Sequence, residues 1–259
     1  MLAAVLAEGH TVIEPAAQEP EIDDLIAFLQ KMGAEIERTA PDRVEIEGRR
    51  RLRGAEHSVV PDRIEAGTFI VAAGVTHGRI TLRGAERDHL GAFLDIASRM
   101  GLSVDCTPGT IEVDATSADL RPLGCCDIET GPYPGLATDL QPPSCVLLTQ
   151  ARGRSHVHET VFEDRLEWLA ELRRMGAAVE IRDSRHAVID GPSALHGTEV
   201  EIGDLRAGAS LILAALAAEG TTTIRGAHHV QRGYEKIDSK FLELGARIER
   251  ISEGTPPSA

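Results

Sequence analysis

The sequence has few aromatic residues: one Trp, two Tyr and five Phe make up 3% of its 259 residues. Leu, Ile, Val and Ala must therefore fill the core, and a hydrophobic content of 42% is enough for one large domain or two ordinary ones. No apolar run is long enough to cross a bilayer as a helix, so we expect no membrane partner.

Basic residues are scarce relative to acidic ones, with 27 Lys and Arg against 41 Asp and Glu and a net charge of −14. This balance argues against nucleic-acid binding, because a phosphate backbone needs a clustered basic surface. It does not exclude a small anionic ligand. A few arginines focused in one cleft can bind a phosphate even in an acidic protein.

Cysteine is rare too, and the four thiols show neither metal-ligand nor disulfide-framework spacing: Cys106, Cys125, Cys126 and Cys145. The N-terminal stretch MLAAVLAEGH lacks the basic region of a signal peptide. A soluble cytoplasmic protein is therefore the expectation. The vicinal pair Cys125 and Cys126 lies between strand-like runs without partner ligands, and we interpret it as a coincidence of sequence.

Two histidine pairs, His156 with His158 and His228 with His229, are the other candidates for metal binding. Each lacks a third ligand at a suitable spacing, and tetrahedral zinc sites need three or four protein ligands. We therefore predict no metal site.

What the sequence does contain is a repeated phrase. An amphipathic segment ending near a glycine returns four times, about 70 residues apart: EIDDLIAFLQKMGAEIE from Glu21, DHLGAFLDIASRMGLSVD from Asp88, EDRLEWLAELRRMGAAVE from Glu163 and GYEKIDSKFLELGARIE from Gly233. A small-residue apolar phrase precedes each copy, for example LILAALAAEG before the fourth. The chain is therefore built of repeating units.

Each unit predicts the same order of elements: an apolar helix, a strand, an amphipathic helix and a β-hairpin, with one further strand ahead of the unit. In the first copy the apolar residues of the amphipathic helix share one face: Ile22, Leu25, Ile26, Leu29 and Met32. A left-handed glycine is predicted to end the helix in every copy: Gly33, Gly101, Gly176 and Gly245. The first copy opens at Met1 within its apolar helix.

The unit matches none of the common solenoid periods, and four copies are few for a solenoid. We therefore favour three units closed around a pseudo-threefold axis over an open array. The predicted fold class is α/β (α+β), built of βαβαββ repeats.

Six stretches carry a resemblance to a known family: EPEIDDLIAFLQKMGA, PDRIEAGTFIVAAGV, PYPGLATDLQPP, VFEDRLEWLAELRRMGA, GDLRAGASLILAALAAEG and QRGYEKIDSKFLELGA. Together they resemble the UDP-N-acetylglucosamine 1-carboxyvinyltransferase family of enolpyruvyl transferases, from Met1 to about Arg250. EPSP synthases share that fold, but their sequence patterns fit less well.

The resemblance implies two domains, each an inside-out α/β barrel of three repeats, with the active site between them. Residues 1–59 would then be the last repeat of the N-terminal domain, and residues 60–259 the second domain. We expect the chain to be truncated at its N-terminus, with a missing N-terminal half as a possible partner.

The reaction implied by the resemblance transfers enolpyruvyl from phosphoenolpyruvate to the 3-hydroxyl of UDP-N-acetylglucosamine and releases phosphate by addition and elimination. It needs no cofactor, and it begins peptidoglycan synthesis, on which cell shape and cell division depend. We expect this chain alone to be inactive or weak. The alternatives are a non-catalytic nucleotide-sugar-binding or regulatory fragment of the same fold, and an EPSP synthase-like enzyme.

The resemblance also assigns catalytic roles to three residues. Asp139, in ATDLQPP, would accept a proton from the sugar hydroxyl or position it, whereas the residues alone favour a helix N-cap. Arg206, in GDLRAGAS, and Arg232, in QRGYEK, would clamp phosphoenolpyruvate through paired hydrogen bonds. Without the resemblance, solvated surface arginines are the simpler interpretation.

Further residues are implied to bind substrate. Glu163 and Arg165, in VFEDR, would line the cleft, and Val161 would contact the nucleotide sugar through its backbone. The residues alone indicate a helix-start acid and a surface salt bridge. Residues 62–65, in PDRIE, would form a structural or hinge-like junction. The acidic cleft residues of the first domain would be Glu14 and Glu19, and none of the four cysteines matches the family's reactive loop cysteine.

Overall fold

The computed structural model describes residues 1–116 and 122–251, and its secondary structure follows the predicted units. The first unit consists of β1 (His10–Ile13), α1 (Pro20–Lys31), β2 (Glu35–Ala40) and β3 (Arg43–Glu47). Its strands form an antiparallel sheet in the order β1-β3-β2, and α1 packs against β2.

The next unit consists of α2 (Arg63–Val75), β4 (Arg79–Arg83), α3 (Gly91–Met100), β5 (Ser103–Thr107) and β6 (Thr110–Asp114). The third consists of β7 (Ile128–Glu129), α4 (Gln141–Thr149), β8 (Gly153–His158), α5 (Leu169–Arg174), β9 (Ala178–Ile181) and β10 (His186–Gly191). The fourth consists of β11 (Glu199–Glu201), α6 (Leu205–Ala217), β12 (Thr223–Arg225) and α7 (Ile237–Glu243).

The sheets of these three units differ in their number of strands. Their strand orders are β4-β6-β5, β7-β8-β10-β9 and β11-β12. In the third and fourth units a strand ahead of the central helix pairs in parallel with the strand after it, as β7 does with β8 and β11 with β12. The predicted leading strand is therefore confirmed in those two units.

The amphipathic helices and their glycine ends also match the prediction. Ile26 and Leu29 are buried in α1, and Ile22, Leu25 and Met32 pack against the same apolar cluster. All four predicted terminating glycines are left-handed, with φ values of 95°, 104°, 99° and 97°: Gly33, Gly101, Gly176 and Gly245. A side chain at such a position would strain the backbone, so glycine ends the helix at little cost.

Two of these helices are shorter than predicted. The third copy of the phrase begins at Glu163, yet α5 begins only at Leu169. Asp164 has a φ of 59°, and Lys236, directly before α7, has a φ of 49°. A left-handed residue cannot continue a right-handed helix, so the helical turn starts after it.

Two other predicted elements are wrong. Met1 does not open a helix, because only a 3₁₀ turn forms at Ala4–Leu6, and so short an isolated segment lacks the length that stabilises an α-helix. The fourth unit has no hairpin among the described residues, since 246–251 form no strand. The rest of the predicted hairpin, after residue 251, lies outside the described residues.

The three central helices α2, α4 and α6 pack against one another and are almost wholly buried. A Cβ on Gly67 would lie 2.5 Å from Leu140 Cδ2, and one on Gly74 would lie 2.7 Å from Leu147 Cδ1. Gly67 meets Leu140 and Gly74 meets Leu147, so the residue numbers rise in the same direction on both sides of the contact, and α2 and α4 are parallel. The sheets and the amphipathic helices surround this core, as expected for an inside-out barrel.

The first unit has an apolar cluster of its own, which includes Val5, Val44 and Ile46. The larger cluster of the other three units begins at Ile64, and residues 48–62 contain no helix or strand. The predicted domain boundary at residue 59 lies in this stretch and stays a prediction. Among the described residues, no helix has the length and apolar character needed to cross a membrane.

The close contact between α2 and α4 can be tested with Gly74→Val. Leu147 and Leu102 are both buried beside the position, so the added side chain has no room, and we expect the free energy of unfolding to fall by about 1–3 kcal/mol. Gly91→Val in α3 is the matched control, because a Cβ there meets nothing within 4 Å, and it should change stability by less than about 0.5 kcal/mol. Urea unfolding measures both, and equal effects would contradict the packing described here.

Candidate active site

The N-termini of the central helices provide the frame of the site. Asp204 caps α6 by accepting hydrogen bonds from the backbone N–H groups of Arg206 and Ala207, at 2.8 and 3.0 Å. Asp62 caps α2 in the same way. Two prolines lie in the first turn of α4, where their missing N–H groups would be unpaired in any case. Helix N-termini carry a partial positive charge, which favours an anion nearby.

At this end of the barrel, Asp139 bridges two arginines from different segments. Its Oδ1 accepts from Arg165 Nη2 at 2.7 Å, and its Oδ2 accepts from Arg206 Nε at 3.0 Å and lies 2.9 Å from Arg206 Nη2. Asp139, Arg165 and Arg206 are called the Asp139 cluster below. The N-cap interpretation of Asp139 is wrong, because Leu140 is the N-cap of α4 and no side chain caps the helix.

The Asp139 cluster has charge left for a ligand. Two guanidinium groups face one carboxylate, so its net charge is +1. Nη1 of Arg206 is buried and has no hydrogen-bond partner among the described residues. Buried polar atoms are almost always paired, so this donor has capacity for a further acceptor beside the Tyr234 side chain, which also attracts the guanidinium.

Tyr234 links Arg206 to α2. The Arg206 guanidinium lies 5.4 Å from the centre of the Tyr234 ring, and the Tyr234 hydroxyl lies 2.8 Å from Thr68 Oγ1. Because Thr68 donates its own proton to Ile64 O, Tyr234 must be the donor to Thr68. Burial raises the pKa of Tyr234, which keeps the phenol neutral and able to donate.

Arg232 lies close to α6 but outside the Asp139 cluster. It ends the 3₁₀ turn Ala227–Arg232, which packs on α6, and the next residue, Gly233, lies against Leu205. The side chain is exposed and forms no hydrogen bond or ion pair with the described residues. The structure therefore places Arg232 beside the N-terminus of α6 with its guanidinium free.

Glu163 and Arg165, which are predicted to line the cleft, have different partners in the structure. Glu163 is exposed and pairs with Arg185 at 3.2 Å, whereas Arg165 pairs with Asp139. The helix-start interpretation of Glu163 is also wrong, since α5 starts six residues later. Val161 is 38% exposed, and its N–H donates to Glu159 Oε1 at 2.9 Å.

The acidic residues of the first unit do not join the Asp139 cluster. Glu14 pairs with Arg43 at 2.8 Å, and Glu19 directly precedes α1 with a buried, unpartnered Oε2. The junction at residues 62–65 holds elements together, since Arg63 pairs with Glu21 of α1 and Glu65 with Lys240 of α7.

The cysteines show no sign of activation. Cys145 is fully buried, and burial raises the thiol pKa there and at Cys106 and Cys126. Cys125 is exposed, and all four thiols are free. Among the described residues, no group of three His, Cys, Asp or Glu side chains could hold a metal ion.

Three residues around this site were not predicted: Tyr234, which lies against Arg206, Thr68, which bonds Tyr234, and Glu159, which bonds Thr138 beside Asp139. Each is buried in the structure. Glu159 precedes the predicted Val161 by two positions, but an acid in a polar loop reads as solvent-exposed, and nothing in the sequence signals its burial.

Comparison with known proteins identifies the family. The family model described as EPSP synthase (3-phosphoshikimate 1-carboxyvinyltransferase) matches residues 1–241. The chain belongs to this family of carboxyvinyltransferases. A UDP-N-acetylglucosamine 1-carboxyvinyltransferase of Gloeobacter violaceus is 47% identical over 100% of this chain and 55% of its own length. One of the same name from Actinobacillus succinogenes is 47% identical over 98% of the chain and 59% of its own.

Solved structures show the same fold. The enolpyruvyl transferase NikO from Streptomyces tendae has a TM-score of 0.86 at 32% identity, covering 96% of this chain and 58% of its own. EPSP synthase from Acinetobacter baumannii has a TM-score of 0.74 at 22% identity, covering 97% and 60%. The predicted enolpyruvyl transferase fold and the predicted resemblance are confirmed. The chain spans somewhat more than half the length of these relatives.

The charge balance of the Asp139 cluster predicts the effect of Asp139→Asn. The change keeps the side-chain size but raises the net charge of the cluster from +1 to +2, so inorganic phosphate should bind more tightly. We expect a gain of roughly two- to fivefold, since ion pairs that are partly open to solvent are worth about 0.2–1 kcal/mol. Isothermal titration with phosphate measures it.

Asp190→Asn serves as the control for that titration. Asp190 pairs with Arg154 at 2.8 Å on the exposed face of the β8–β10 ladder, so its loss should leave phosphate binding unchanged. A D139N variant that binds phosphate no better than D190N would show that Asp139 does not compensate an anion site.

Proposed function

We propose that this chain forms one side of an enolpyruvyl transferase site, which moves the enolpyruvyl group of phosphoenolpyruvate to the 3-hydroxyl of UDP-N-acetylglucosamine and releases phosphate. The observation that carries the proposal is the Asp139 cluster at the N-terminal end of α6, with the unpaired Nη1 of Arg206. Its parts match the needs of the reaction, which are cations for phosphate and carboxylate and a carboxylate for the attacking hydroxyl.

The anionic substrate is the simplest occupant of the positive groups. Phosphoenolpyruvate carries a phosphate and a carboxylate, and guanidinium groups bind both through paired hydrogen bonds. Arg206 offers a buried donor, and Arg232 offers a free guanidinium beside the same helix N-terminus. The two can therefore hold one anion from different directions, with the partial positive charge of α6 adding to the attraction.

Asp139 is suited to the sugar hydroxyl. About a third of its side chain is exposed, and a carboxylate has more acceptor sites than the two arginines use. As phosphoenolpyruvate draws Arg206 toward its own oxygens, Asp139 becomes available as proton acceptor or positioner for the hydroxyl. The sugar oxygen then attacks carbon two while carbon three takes a proton. The tetrahedral ketal afterwards loses a proton from carbon three and releases phosphate.

UDP-N-acetylglucosamine is proposed as the acceptor because of the relatives' names. Relatives at 47% identity across the chain are UDP-N-acetylglucosamine 1-carboxyvinyltransferases, whereas the EPSP synthase structure is only 22% identical. The carbon–oxygen bond formed is the same in both reactions, so the two differ in the acceptor alone. With this acceptor the reaction belongs to peptidoglycan synthesis, and we place it in the cytoplasm.

Ligand titration of the full chain tests the proposal. We expect phosphoenolpyruvate to bind and Arg206→Gln and Arg232→Gln each to weaken it by about tenfold or more, since a hydrogen bond to a charged group is worth about 1.5–3 kcal/mol. Arg154→Gln is the control. It removes the arginine of the exposed ion pair with Asp190 and should leave the affinity for phosphoenolpyruvate unchanged. Isothermal titration is the measurement.

The same titration separates the alternatives. Binding of UDP-N-acetylglucosamine but not shikimate 3-phosphate supports the proposed acceptor, and the reverse supports an EPSP synthase-like enzyme. A phosphate-release assay with both substrates, with an N-terminal half supplied in trans, then distinguishes part of an enzyme from a binding fragment, which would bind without turnover even with that half present. Failure of wild type to bind phosphoenolpyruvate, or equal binding by R206Q and R154Q, would contradict the proposal.

A further inference from the structure

Glu159 is a buried carboxylate without an ion-pair partner among the described residues. It directly follows β8, and its exposure is 0%. The guanidinium of Arg185 donates at 3.1 Å to the backbone oxygen of Glu159 and not to its carboxylate. Burying an uncompensated carboxylate is costly, so its retention in the core needs a set of hydrogen-bond donors.

Four donors meet that need. Oε1 accepts from Thr130 Oγ1 at 2.9 Å and from the N–H groups of Val161 and Phe162 at 2.9 and 3.1 Å. Oε2 accepts from Thr138 Oγ1 at 2.9 Å. Only an ionised carboxylate offers two oxygens that act purely as acceptors, so the arrangement matches this residue type.

The donors belong to the segments that carry the Asp139 cluster. Thr138 is the residue before Asp139, and Val161 and Phe162 lead directly to Arg165, whose guanidinium lies 5.3 Å from the Phe162 ring centre. Thr130 adds the loop after β7. One side chain thus joins the segment of the carboxylate to the segment of its arginine.

We infer that Glu159 is a positioning residue, which holds Asp139 and Arg165 in register so that the cluster can receive an anion. The inference rests on the proposed function of the cluster. Without Glu159, the direct side-chain link between the two segments is the Asp139–Arg165 ion pair, which a bound anion competes for, and the remaining link through Thr130 and Thr160 is indirect. The four hydrogen bonds to the Glu159 carboxylate, called the Glu159 clamp below, keep the two segments in place while that ion pair opens.

Three variants of the full chain test the Glu159 clamp. Glu159→Ala removes every acceptor. Glu159→Gln keeps one acceptor oxygen for the three donors at Oε1, and its amide can donate to a rotated Thr138 hydroxyl. Thr138→Val removes only the bond next to Asp139. Glu129→Gln is the matched control, because Glu129 is an exposed acid at the end of β7 whose side chain bonds that of His158.

Two measurements are made on each variant. The first is the affinity for phosphoenolpyruvate, measured by titration. The second is the Nε–H signal of Arg206 in ¹H–¹⁵N spectra recorded without ligand, which reports the hydrogen bond from Arg206 to Asp139. We expect E159A to shift or broaden that signal and to weaken phosphoenolpyruvate binding by about tenfold, which corresponds to about 1.4 kcal/mol. T138V should weaken binding by about threefold. E159Q should stay within about threefold of wild type and E129Q should match it.

Amide exchange at Val161 and Phe162 separates positioning from folding. T138V should leave both amides as protected as in wild type, while it still disturbs the Arg206 signal. An unchanged Arg206 signal in both E159A and T138V would overturn the inference, and should E159A fail to fold, T138V alone decides it. If wild type binds no phosphoenolpyruvate, the proposed function fails, and the ligand-free Arg206 signal still decides the role of Glu159.

Discussion

The close approach of the three central helices is the constraint on which the site depends. Gly67 and Gly74 allow α2 to lie against Leu140 and Leu147 of α4, at distances where a Cβ would collide. Gly208 gives α6 the same closeness to Val230. Because α2 and α4 run in parallel and Asp139 at the start of α4 reaches Arg206 at the start of α6, helix N-termini converge at one end of the barrel. The site is a consequence of that packing.

The positive charges at this end of the barrel are only partly neutralised. Asp139 offsets part of the positive charge of Arg165 and Arg206, which allows both guanidinium groups to remain ordered when no anion is bound. Burial lowers the pKa of Arg206, but the attractions of Tyr234 and Asp139 raise it overall, so the group keeps its charge inside the protein. Nη1 of Arg206 is the donor that these contacts leave without a hydrogen-bond partner. An incoming phosphate or carboxylate oxygen would accept a hydrogen bond from this atom.

The fold could be predicted further than the site. Helix faces and left-handed glycines such as Gly33 are local features, so the sequence pattern was enough for them. The late start of α5 was not predictable, because it depends on the left-handed conformation of Asp164, whose N–H bonds Ser184 across the chain. The site residues could be named only through the family resemblance. Their contacts join positions up to 67 apart, and Glu159 acquires its role only when three loops close over it.

The most direct test of the central claim is a crystal structure of the full chain with phosphoenolpyruvate bound. The account predicts a phosphate or carboxylate oxygen within about 3 Å of Arg206 Nη1, with Asp139 still adjacent and its segment unmoved beside Glu159. Phosphoenolpyruvate bound elsewhere, with the Asp139–Arg206 pair intact and Nη1 still unpartnered, would contradict it.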